Sequence, residues 1–419
     1  MKRKRDWIAF LITLSVVLVV GSGILFLIGR KQQIENGTDL QGKTEGEESF
    51  LSEEKTCENV LDNVWNDSEP EKDADSGEIL EEAETEYPSE EDTIILEDDK
   101  SGTISISFAG DMLFDDGYAT MNRFRQCDSD VERIFTNGLL EVMKAPELFM
   151  VNNEFTFTTR GTPLENKAFT FRAKPENVSI YNDMGVDIVG LANNHITDFG
   201  MESLYDTLDT LDEAGLVHVG AGRDLNEASR IQYYRKGDLK IAIVCATQIE
   251  RLGNPDTKGA TEDSPGTFRC FDPQMAVEKI KEAKQNADFV IFYVHWGTEK
   301  VEEPDYHQNY QVPLYVEAGA DAIIGGHPHI LQKIDYVEDT PVFYSLGNFW
   351  FSSKTTDTGL AELVIGKDGL VSTKFTPCVS KSCVLNLSEG EEKERILSHL
   401  QQISPGVRID SDGYIEKKE

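Results

Sequence analysis

Residues 322–329, Ala-Ile-Ile-Gly-Gly-His-Pro-His, join a short apolar run to a pair of histidines. An uninterrupted apolar run of this length predicts a β-strand that is buried on both faces. His327 and His329 follow the run two residues apart, so on an extended segment their side chains point to the same side. A lone histidine is usually structural, whereas this pair behind a glycine turn predicts ligands to two adjacent metal ions.

Four further apolar runs end in residue types that bind metal ions. These runs and the residues that follow them are Thr103 to Ala109 with Gly110-Asp111, Leu148 to Val151 with Asn152-Asn153-Glu154, Asp187 to Ala192 with Asn193-Asn194-His195, and Phe289 to Val294 with His295-Trp296-Gly297. In open α/β sheets, ligands bind beyond the carboxyl ends of the strands. We therefore expect the five strands to lie side by side, so that Asp, Glu, Asn and His side chains converge on one rim. This mixed oxygen and nitrogen shell suits Mn, Fe or Zn.

The residues on this rim offer different chemistry. A carboxylate such as Asp111 or Glu154 can bridge two metals, which a neutral histidine does less well. Asn194 offers a weak neutral ligand, and the adjacent His195 is placed to donate a proton to a leaving oxygen. The alternative for this segment, which includes Asp198, is an Asn-rich turn that caps the following helix.

Three further residues complete the predicted rim. His295 ends a strand that is predicted to be interior, where a histidine needs a partner such as a metal. Arg160 lies just beyond Glu154 and is the best candidate to clamp an anionic substrate group. Asn348 follows the strand-like Val342-Phe343 and is placed to hydrogen-bond the rim. No P-loop, dinucleotide fingerprint or Ser-His-Asp order is present in the sequence.

Helical patterns alternate with the strands, which predicts an α/β core with mostly parallel strands. Helices are predicted in residues 201–215, 272–288, 310–318 and 391–402, and a hairpin with Asp368-Gly369 at its turn in residues 366–375. The strict alternation from Thr103 to Phe108 predicts a strand that lies near a sheet edge or has one polar face. The polar region from residue 387 onward holds no candidate chemistry.

The amino-terminal 30 residues predict a membrane anchor. Trp7 to Ile28 is almost wholly apolar and uncharged, and about 22 helical residues reach roughly 33 Å, enough to cross a bilayer core. The preceding Lys2-Arg3-Lys4-Arg5 predicts a cytoplasmic amino terminus. The alternative is a cleaved secretory signal, which the length of the run and the lack of a small-x-small site disfavour. Both interpretations place the rest of the chain outside the cytoplasm.

Residues 31–100 have a different composition, with 25 Asp and Glu against 5 Lys. Such a segment cannot bury enough apolar surface to fold, so we predict a disordered acidic stalk. The formal net charge of the whole chain is −36, of which about −20 falls on residues 101–419. The lack of a basic footprint excludes nucleic acid as a partner and argues against unaided binding of a polyanion. An oxidising exterior would permit a disulfide between Cys378 and Cys383.

In order along the chain, the motifs resemble the CapA family, the capsule-synthesis proteins associated with poly-γ-glutamate. The matching motifs cover roughly residues 103–380 and are Gly110-Asp111, Asn153-Glu154, Asn193-Asn194-His195 with Asp198 and Gly200, His295-Trp296-Gly297 with Glu299, Gly319-Ala320-Asp321, Gly326-His327-Pro328-His329 with Gln332, and Ser345-Leu346-Gly347-Asn348-Phe349. The family resembles a branch of the calcineurin-like metallophosphoesterase superfamily. The resemblance implies a sandwich of two β-sheets flanked by helices in residues 101–380, which leaves a polar extension in residues 381–419.

The resemblance also implies a role for each site residue. Asp111 and His329 would bind the first metal, and Glu154 would bridge to the second. The second metal would be held by Asn194, His295 and His327. His195 would be the general acid, and Asn153, Asn193, Asp198 and Asn348 would support the site.

Two departures from the superfamily pattern affect the first metal. Leu113 stands two residues beyond Asp111, where many superfamily members carry a histidine ligand, so this site is one ligand short. Asp115 and Asp116 stand where family members often carry an arginine, which weakens the expectation of phosphate binding there.

The resulting hypothesis is a membrane-anchored, extracytoplasmic hydrolase with one or two divalent metals, acting in capsule or poly-γ-glutamate synthesis, export or anchoring. Two metals would activate a water for attack on a phosphoester or on a polymer amide, and His195 would protonate the leaving oxygen. The alternative is a non-catalytic accessory protein that tethers an anionic polymer through metals. Other membrane proteins of capsule synthesis are possible partners.

Overall fold

The computed structural model describes residues 93–249 and 258–418. The strands are β1 Thr93–Ile95, β2 Thr103–Met112, β3 Phe135–Thr136, β4 Leu148–Asn153, β5 Thr156–Phe157, β6 Arg172–Ala173, β7 Ile188–Gly190, β8 Val217–Val219, β9 Ala221–Gly222, β10 Gln232–Lys236, β11 Leu239–Thr247, β12 Gly266–Thr267, β13 Phe289–His295, β14 Ala322–Gly326, β15 Ile334–Val337, β16 Thr340–Phe343, β17 Asn348–Trp350, β18 Thr356–Gly366, β19 Gly369–Lys381, β20 Val384–Leu387, β21 Val407–Ile409 and β22 Ile415–Lys417. The α-helices are α1 Ala119–Gln126, α2 Leu139–Met143, α3 Ser179–Met184, α4 Met201–Glu213, α5 Leu225–Ala228, α6 Gln274–Asn286, α7 Tyr306–Ala318 and α8 Gly390–Ile403. Short 3₁₀ helices cover Val131–Arg133 and Pro175–Val178.

Two large β-sheets organise these elements. The seven-stranded sheet has the order β1-β10-β11-β13-β14-β16-β15. The nine-stranded sheet has the order β3-β20-β19-β18-β2-β4-β7-β8, and β17 also pairs with β2. The strands that carry the predicted site pair in parallel within each sheet, β2 with β4 and β4 with β7 in one, and β13 with β14 in the other. Their carboxyl ends therefore lie at one edge of each sheet.

The two sheets pack face to face with helices outside them. One buried cluster contains inward residues of both sheets, and the rings of Phe108 on β2 and Tyr293 on β13 stack with centroids 6.4 Å apart. The opposite face of β13, represented by Phe292, packs with α6 and α7 in a second cluster. The outer face of the nine-stranded sheet packs with α1 to α4 in a third. A continuous apolar run such as that of β13 thus follows from burial on both faces.

The prediction that five strands lie side by side is wrong. Three of them, β2, β4 and β7, belong to the nine-stranded sheet, whereas β13 and β14 belong to the seven-stranded sheet. Burial on both faces marks a central strand of either sheet, so apolar runs alone do not tell which strands are neighbours. The candidate residues meet because the two packed sheets end at the same side.

Of the two alternatives for the strand predicted from Thr103 to Phe108, a sheet edge or one polar face, the sheet edge is wrong. β2 is central, between β18 and β4, and Ser107 is fully buried. Only the start of the strand has partly exposed polar residues. There the Glu147 carboxylate accepts a hydrogen bond from the backbone of the half-buried Ser105 at 2.9 Å. A local polar contact, rather than solvent, explains this part of the pattern.

The predicted helices and the hairpin are present at their expected positions, as α4, α6, α7, α8 and the β18–β19 pair. Residues after 381 pack on the same domain, because β20 pairs with β19, and Ile396 and Leu400 of α8 join the core between the sheets. Of the predicted stalk, residues 93–100 lie in the described part, and Thr93–Ile95 pair with β10, so the folded domain begins before residue 100.

The predicted anchor and the rest of the stalk lie outside the described residues. Within residues 93–249 and 258–418, no helix is both long enough and apolar enough to cross a bilayer.

Cys378 and Cys383 are buried and each is a free thiol, so the disulfide considered for them does not form. Cys378 lies on β19, whereas Cys383 lies in the turn between β19 and β20.

Candidate metal centre

Six predicted ligands converge where the two sheets end. Asp111 lies on β2, Glu154 directly follows β4, and Asn194 lies in the turn after β7. His295 ends β13, and the segment after β14 carries His327 and His329. Two sets of side chains have ligand atoms within 4.8 Å of one another: Glu154 with His295 and His327, and Asp111 with Glu154 and His329. Glu154 belongs to both sets.

The first set, Asp111, Glu154 and His329, is centred on one ring nitrogen. His329 Nδ1 lies 3.3 Å from Asp111 Oδ2 and 3.8 Å from Glu154 Oε2. Asn348 Oδ1 lies 2.8 Å from the same nitrogen. Three oxygen atoms therefore surround His329 Nδ1.

The second set, Glu154, His295 and His327, is centred on His295 Nε2. This nitrogen lies 3.4 Å from Glu154 Oε1, 3.1 Å from His327 Nδ1 and 3.0 Å from Asn194 Oδ1. Asn194 thus joins the second set, as the resemblance implied. One carboxylate, one amide and two imidazoles meet at this point.

The backbone of the two histidines differs from the extended segment that the sequence argument assumed. His327 has φ of 98° and His329 has φ of 59°, both in the left-handed region that residues with a Cβ seldom adopt. The His327 amide donates to Asp111 Oδ2 at 3.3 Å, which ties the turn to β2. Strained backbone conformations of this kind cluster at functional sites. The turn sends the two rings to different sets rather than to the same side of a strand.

The electrostatics of the site favour a cation. Glu154 is fully buried, and neither of its carboxylate oxygens has a hydrogen-bond partner. Burial raises the pKa of Glu154 well above its usual range, and the nearby Asp111 carboxylate raises it further. A buried carboxylate without partners is costly unless a cation compensates it. This orphaned carboxylate fits a bound divalent metal.

The pKa values of the histidines differ between the two sets: the pKa of His329 in the first set is raised, and those of His295 and His327 in the second set are lowered. Burial lowers the pKa of His329, but the carboxylates of Glu154 and Asp111 outweigh it and raise this pKa to about 10. Burial lowers the pKa of His295 to about 3, and burial together with His295 lowers the pKa of His327 well below its ordinary value. Neutral imidazoles beside carboxylates are the form that binds metal.

Asn152, which sequence reasoning missed, connects the two sets. Its Nδ2 donates to Asp111 Oδ1 at 2.8 Å and lies 3.2 Å from His295 Nδ1. Asn193 in turn donates to Asn152 Oδ1 at 3.1 Å. The predicted supporting residue Asn153 faces away, because its side chain bonds Phe155 O and the Tyr181 hydroxyl. Side chains alternate along a strand, so Asn152 shares the side of Glu154 and Asn153 does not.

His195 lies in a buried chain of polar groups. Its Nδ1 lies 2.7 Å from Asp198 Oδ2, and Asp198 Oδ1 lies 2.7 Å from Lys167 Nζ. Burial lowers the pKa of His195, and the Asp198 carboxylate opposes this shift. Lys167 Nζ also donates to the carbonyl oxygen of Asn194. The Asn-rich turn does not cap a helix, because the N-cap residue of α4 is Gly200 and no side chain caps this helix.

Lys167, rather than Arg160, is the buried cation beside the metal centre. The Arg160 side chain is 61% exposed and its guanidinium is held by Asp206 on α4. Among the described residues, no contact joins Arg160 to the clustered ligands, so the structure does not bring Arg160 to the metal centre. The Lys167 side chain is only 5% exposed. Nothing in the local sequence marks Lys167, because its partner Asp198 is distant along the chain.

Replacing Lys167 with methionine is expected to lower the free energy of unfolding by about 3–5 kcal/mol, because the buried Asp198 carboxylate loses its lysine. Denaturant unfolding of the full-length chain measures this change. Arg160→Met is the matched control, since it removes a surface pair, and surface pairs contribute little. Equal effects of the two substitutions would contradict the assignment of Lys167 as a buried structural charge.

Leu113, at the position where the resemblance led us to expect a ligand, points away from the cluster. It is fully buried in the apolar layer outside the nine-stranded sheet, together with Phe114 and Trp350. Asp115 is also engaged elsewhere, because its carboxylate accepts from the backbone amides of Gly117 and Arg172 at 2.7 Å.

A known protein family matches the part of the chain that carries the candidate ligands. The family model described as "Bacterial capsule synthesis protein PGA_cap" matches residues 105–353. A capsule biosynthesis protein CapA of Bacillus anthracis is 33% identical over 235 residues, which cover 54% of each chain. A PGA biosynthesis protein CapA of Bacillus subtilis (strain 168) is 34% identical over 219 residues, covering 51% of this chain and 56% of the relative. The chain spans about half the length of the curated relatives it matches.

Similarity to solved structures is weaker. A crystal structure of a Thermus thermophilus protein is 9% identical and covers 62% of this chain and 93% of that one, with a TM-score of 0.35. A 5'-nucleotidase from Candida albicans SC5314 is 13% identical and covers 64% and 48%, also with a TM-score of 0.35. Scores this low support no statement about this chain.

Proposed function

The chain belongs to the bacterial capsule synthesis protein family PGA_cap, and on that premise we propose that it is a divalent-metal-dependent hydrolase. Its place would be in the synthesis, export or anchoring of a capsule polymer such as poly-γ-glutamate. The curated CapA relatives carry names that point to this process. The reaction proposed is hydrolysis of a phosphoester or of an amide in the polymer.

One observation carries the proposal. Glu154 is fully buried, lies in both ligand sets, and has no hydrogen-bond partner for either oxygen. A shared carboxylate between two neighbouring sets is the arrangement that holds two metals close together. A purely structural carboxylate would be expected to accept hydrogen bonds, as Asp115 does from the Gly117 and Arg172 amides at 2.7 Å.

The residues divide into metal-holding and proton-handling groups. Asp111, Glu154 and His329 would hold one metal, and Glu154, Asn194, His295 and His327 the other. Metals bound there would supply Lewis-acid stabilisation of charge on the reacting oxygens.

The proton is handled by His195. Asp198 fixes the His195 ring through Nδ1, which leaves Nε2 to accept a proton and to give it to the leaving oxygen. Lys167 holds Asp198 from the other side and so keeps the ring in one orientation.

The site chemistry and the family name point to different bonds. Two adjacent cations neutralise the equatorial oxygens of a phosphoryl group better than they assist amide cleavage. The family name favours a glutamate polymer instead. Both substrate classes therefore belong in the first activity screen, with Mn, Fe and Zn supplied in turn.

A second candidate function is metal-mediated tethering of an anionic polymer without turnover. The formal charge of −36 favours it, because a polyanion approaches such a chain only if cations intervene. In this case binding would vanish with a chelator, and substitutions that spare the metals would leave it unchanged.

The location follows from the sequence alone and is proposed on that ground. Trp7 to Ile28 would anchor the chain in the cell membrane, with the amino terminus in the cytoplasm and the metal centre outside. Other membrane proteins of capsule synthesis would be within reach of a domain on a stalk of about 60 residues.

Metal analysis of the full-length chain, purified in detergent, tests the proposal first. We expect two divalent metals per chain, and none in the double variant His327→Ala and His329→Ala, which removes a ligand from each set. The wild type would then be screened against phosphoesters and γ-glutamyl polymers. No metal in the wild type after Mn, Fe and Zn supply would refute the hydrolase and the tether alike.

A further inference from the structure

Histidines and carboxylates supply three ligands to each set: Asp111, Glu154 and His329 to the first, and Glu154, His295 and His327 to the second. The Asn194 amide oxygen gives the second set a fourth ligand. Leu113 is fully buried in an apolar cluster and contributes nothing to the first set. A metal held by three protein groups would leave coordination positions open.

Asn348 lies on the strand next to Asp111. β17 pairs in parallel with β2, and Asn348 is the register partner of Asp111, so the two side chains leave neighbouring strands at the same level. The Asp111 amide donates to Gly347 O at 3.0 Å. This pairing brings a residue from far along the chain to the side of the first set.

The contact between these strands is unusually close. A Cβ added to Gly110 would lie 1.9 Å from Gly347 O, so only glycine fits at position 110. Gly347 itself has φ of 68°, in the left-handed region that glycine adopts readily. Two glycines in separate motifs are therefore required to place Asn348 beside Asp111.

The amide oxygen of Asn348 lies as close to the central ring nitrogen of the first set as the amide oxygen of Asn194 lies to that of the second set. Asn194 Oδ1 lies 3.0 Å from His295 Nε2, and Asn348 Oδ1 lies 2.8 Å from His329 Nδ1. In the first set, one amide oxygen and two carboxylates face His329 Nδ1. In the second set, one amide oxygen, one carboxylate and one imidazole face His295 Nε2. Asn348 is 8% exposed, as is Asn194, so both amides are withdrawn from solvent.

We propose that Asn348 supplies, through Oδ1, the fourth protein ligand of the first metal, in place of the residue that is missing at Leu113. The inference rests on the proposed two-metal site and deepens it. The two sets then contain four ligands each and share Glu154. A set of three oxygen ligands and one imidazole suits a harder cation such as Mn²⁺ better than the second set, which has two imidazoles.

The test is metal binding to the full-length chain, stripped with a chelator and titrated with Mn²⁺ or Co²⁺ by equilibrium dialysis. Asn348→Ala is expected to weaken one of the two sites by more than about 100-fold, beyond the effect typical of an outer-shell residue, and to leave the other unchanged. His329→Ala should weaken the same site. Asn348→Asp keeps an oxygen at the position and should retain both metals, which guards against a folding defect in the alanine variant.

Asn286→Ala is the matched control. Asn286 ends α6, near the start of β13, and so lies at the end of that strand opposite His295. Its amide is half-buried and donates to Glu282 O at 2.7 Å. This variant should keep two metals with wild-type affinity.

The absorption spectrum of the Co²⁺-saturated chain separates a ligand from a residue that only orients His329. Loss of a ligand, or its replacement by water, changes the ligand field and therefore the visible bands of the first-site Co²⁺. Loss of an orienting hydrogen bond weakens binding but leaves the saturated spectrum as in the wild type, and this result would overturn the proposal. Unchanged affinity in Asn348→Ala would overturn it too, while leaving the two-metal site intact. A wild type that binds no metal would remove the proposed function itself.

Discussion

Glu154→Gln is expected to abolish tight binding of both metals at once. Each ligand set depends on this carboxylate, and glutamine keeps its shape while removing the negative charge that both metals share. We expect each site to weaken by more than about 100-fold, a loss larger than that of an outer-shell substitution. Equilibrium dialysis of the full-length chain followed by elemental analysis measures the metal content.

The same variant has a second signature in the absence of metal. Burial and Asp111 disfavour the charged form of Glu154, as its raised pKa indicates, so the neutral glutamine relieves an unfavourable buried charge. In excess chelator, we therefore expect the variant to melt no lower than the wild type. With metal present, the order reverses, because only the wild type gains binding free energy.

Glu147→Gln provides the control for a partly buried carboxylate outside the cluster. Glu147 Oε2 accepts from the Ser105 backbone at 2.9 Å, and Oε1 pairs with Lys236. Its loss should lower stability in both conditions without changing the metal content. Two metals bound to Glu154→Gln would contradict the bridging assignment.

The ends of the strands could be predicted from the sequence because they depend on local pattern. Apolar runs, the glycines behind them and the polar residues that follow are visible within eight residues, as in 322–329. The six metal-binding candidates found in this way all lie within two touching sets or, for Asn194, against one of them. The resemblance implied two sheets, but the sheet to which each strand belongs was not predicted, because pairing between strands is non-local.

The errors have a common physical cause, which is the choice of partner in three dimensions. Arg160 carries the expected charge beside Glu154, but Asp206, on a helix 46 residues later, holds it outside the cluster. Lys167 takes the buried position because Asp198 is there to pair with it. Neither partner can be identified from neighbouring residues.

One miss could have been avoided. Asn152 and Glu154 are two residues apart at the end of β4, and side chains two apart on a strand share a side. The same rule places Asn153 on the opposite side, where it bonds Tyr181. Asn348 was expected to hydrogen-bond the rim, and its contact with His329 agrees with that; its closeness to Asp111 depends on the pairing of β17 with β2, which no local pattern reveals.

His195→Asn is expected to reduce turnover by about 10²–10⁴-fold while leaving two metals bound. The reason is that His195 Nε2 would give the proton to the leaving oxygen, whereas the ring is absent from both ligand sets. The loss should be smaller for a substrate whose leaving group is already a weak base, such as a nitrophenolate, because such a group needs little protonation. Turnover on each substrate and metal content are measured on the same preparation.

His218→Asn is the matched control, since His218 is a buried histidine that also pairs with an aspartate, Asp212, at 3.0 Å but lies outside the metal centre. It should change neither turnover nor metal content.

A tether without catalysis would lose no polymer binding in His195→Asn, and this outcome would favour the second candidate function. Loss of a metal in His195→Asn would instead make His195 a ligand. An equal loss of turnover for good and poor leaving groups would mean that His195 positions the substrate, because the protonation step would then not depend on its ring.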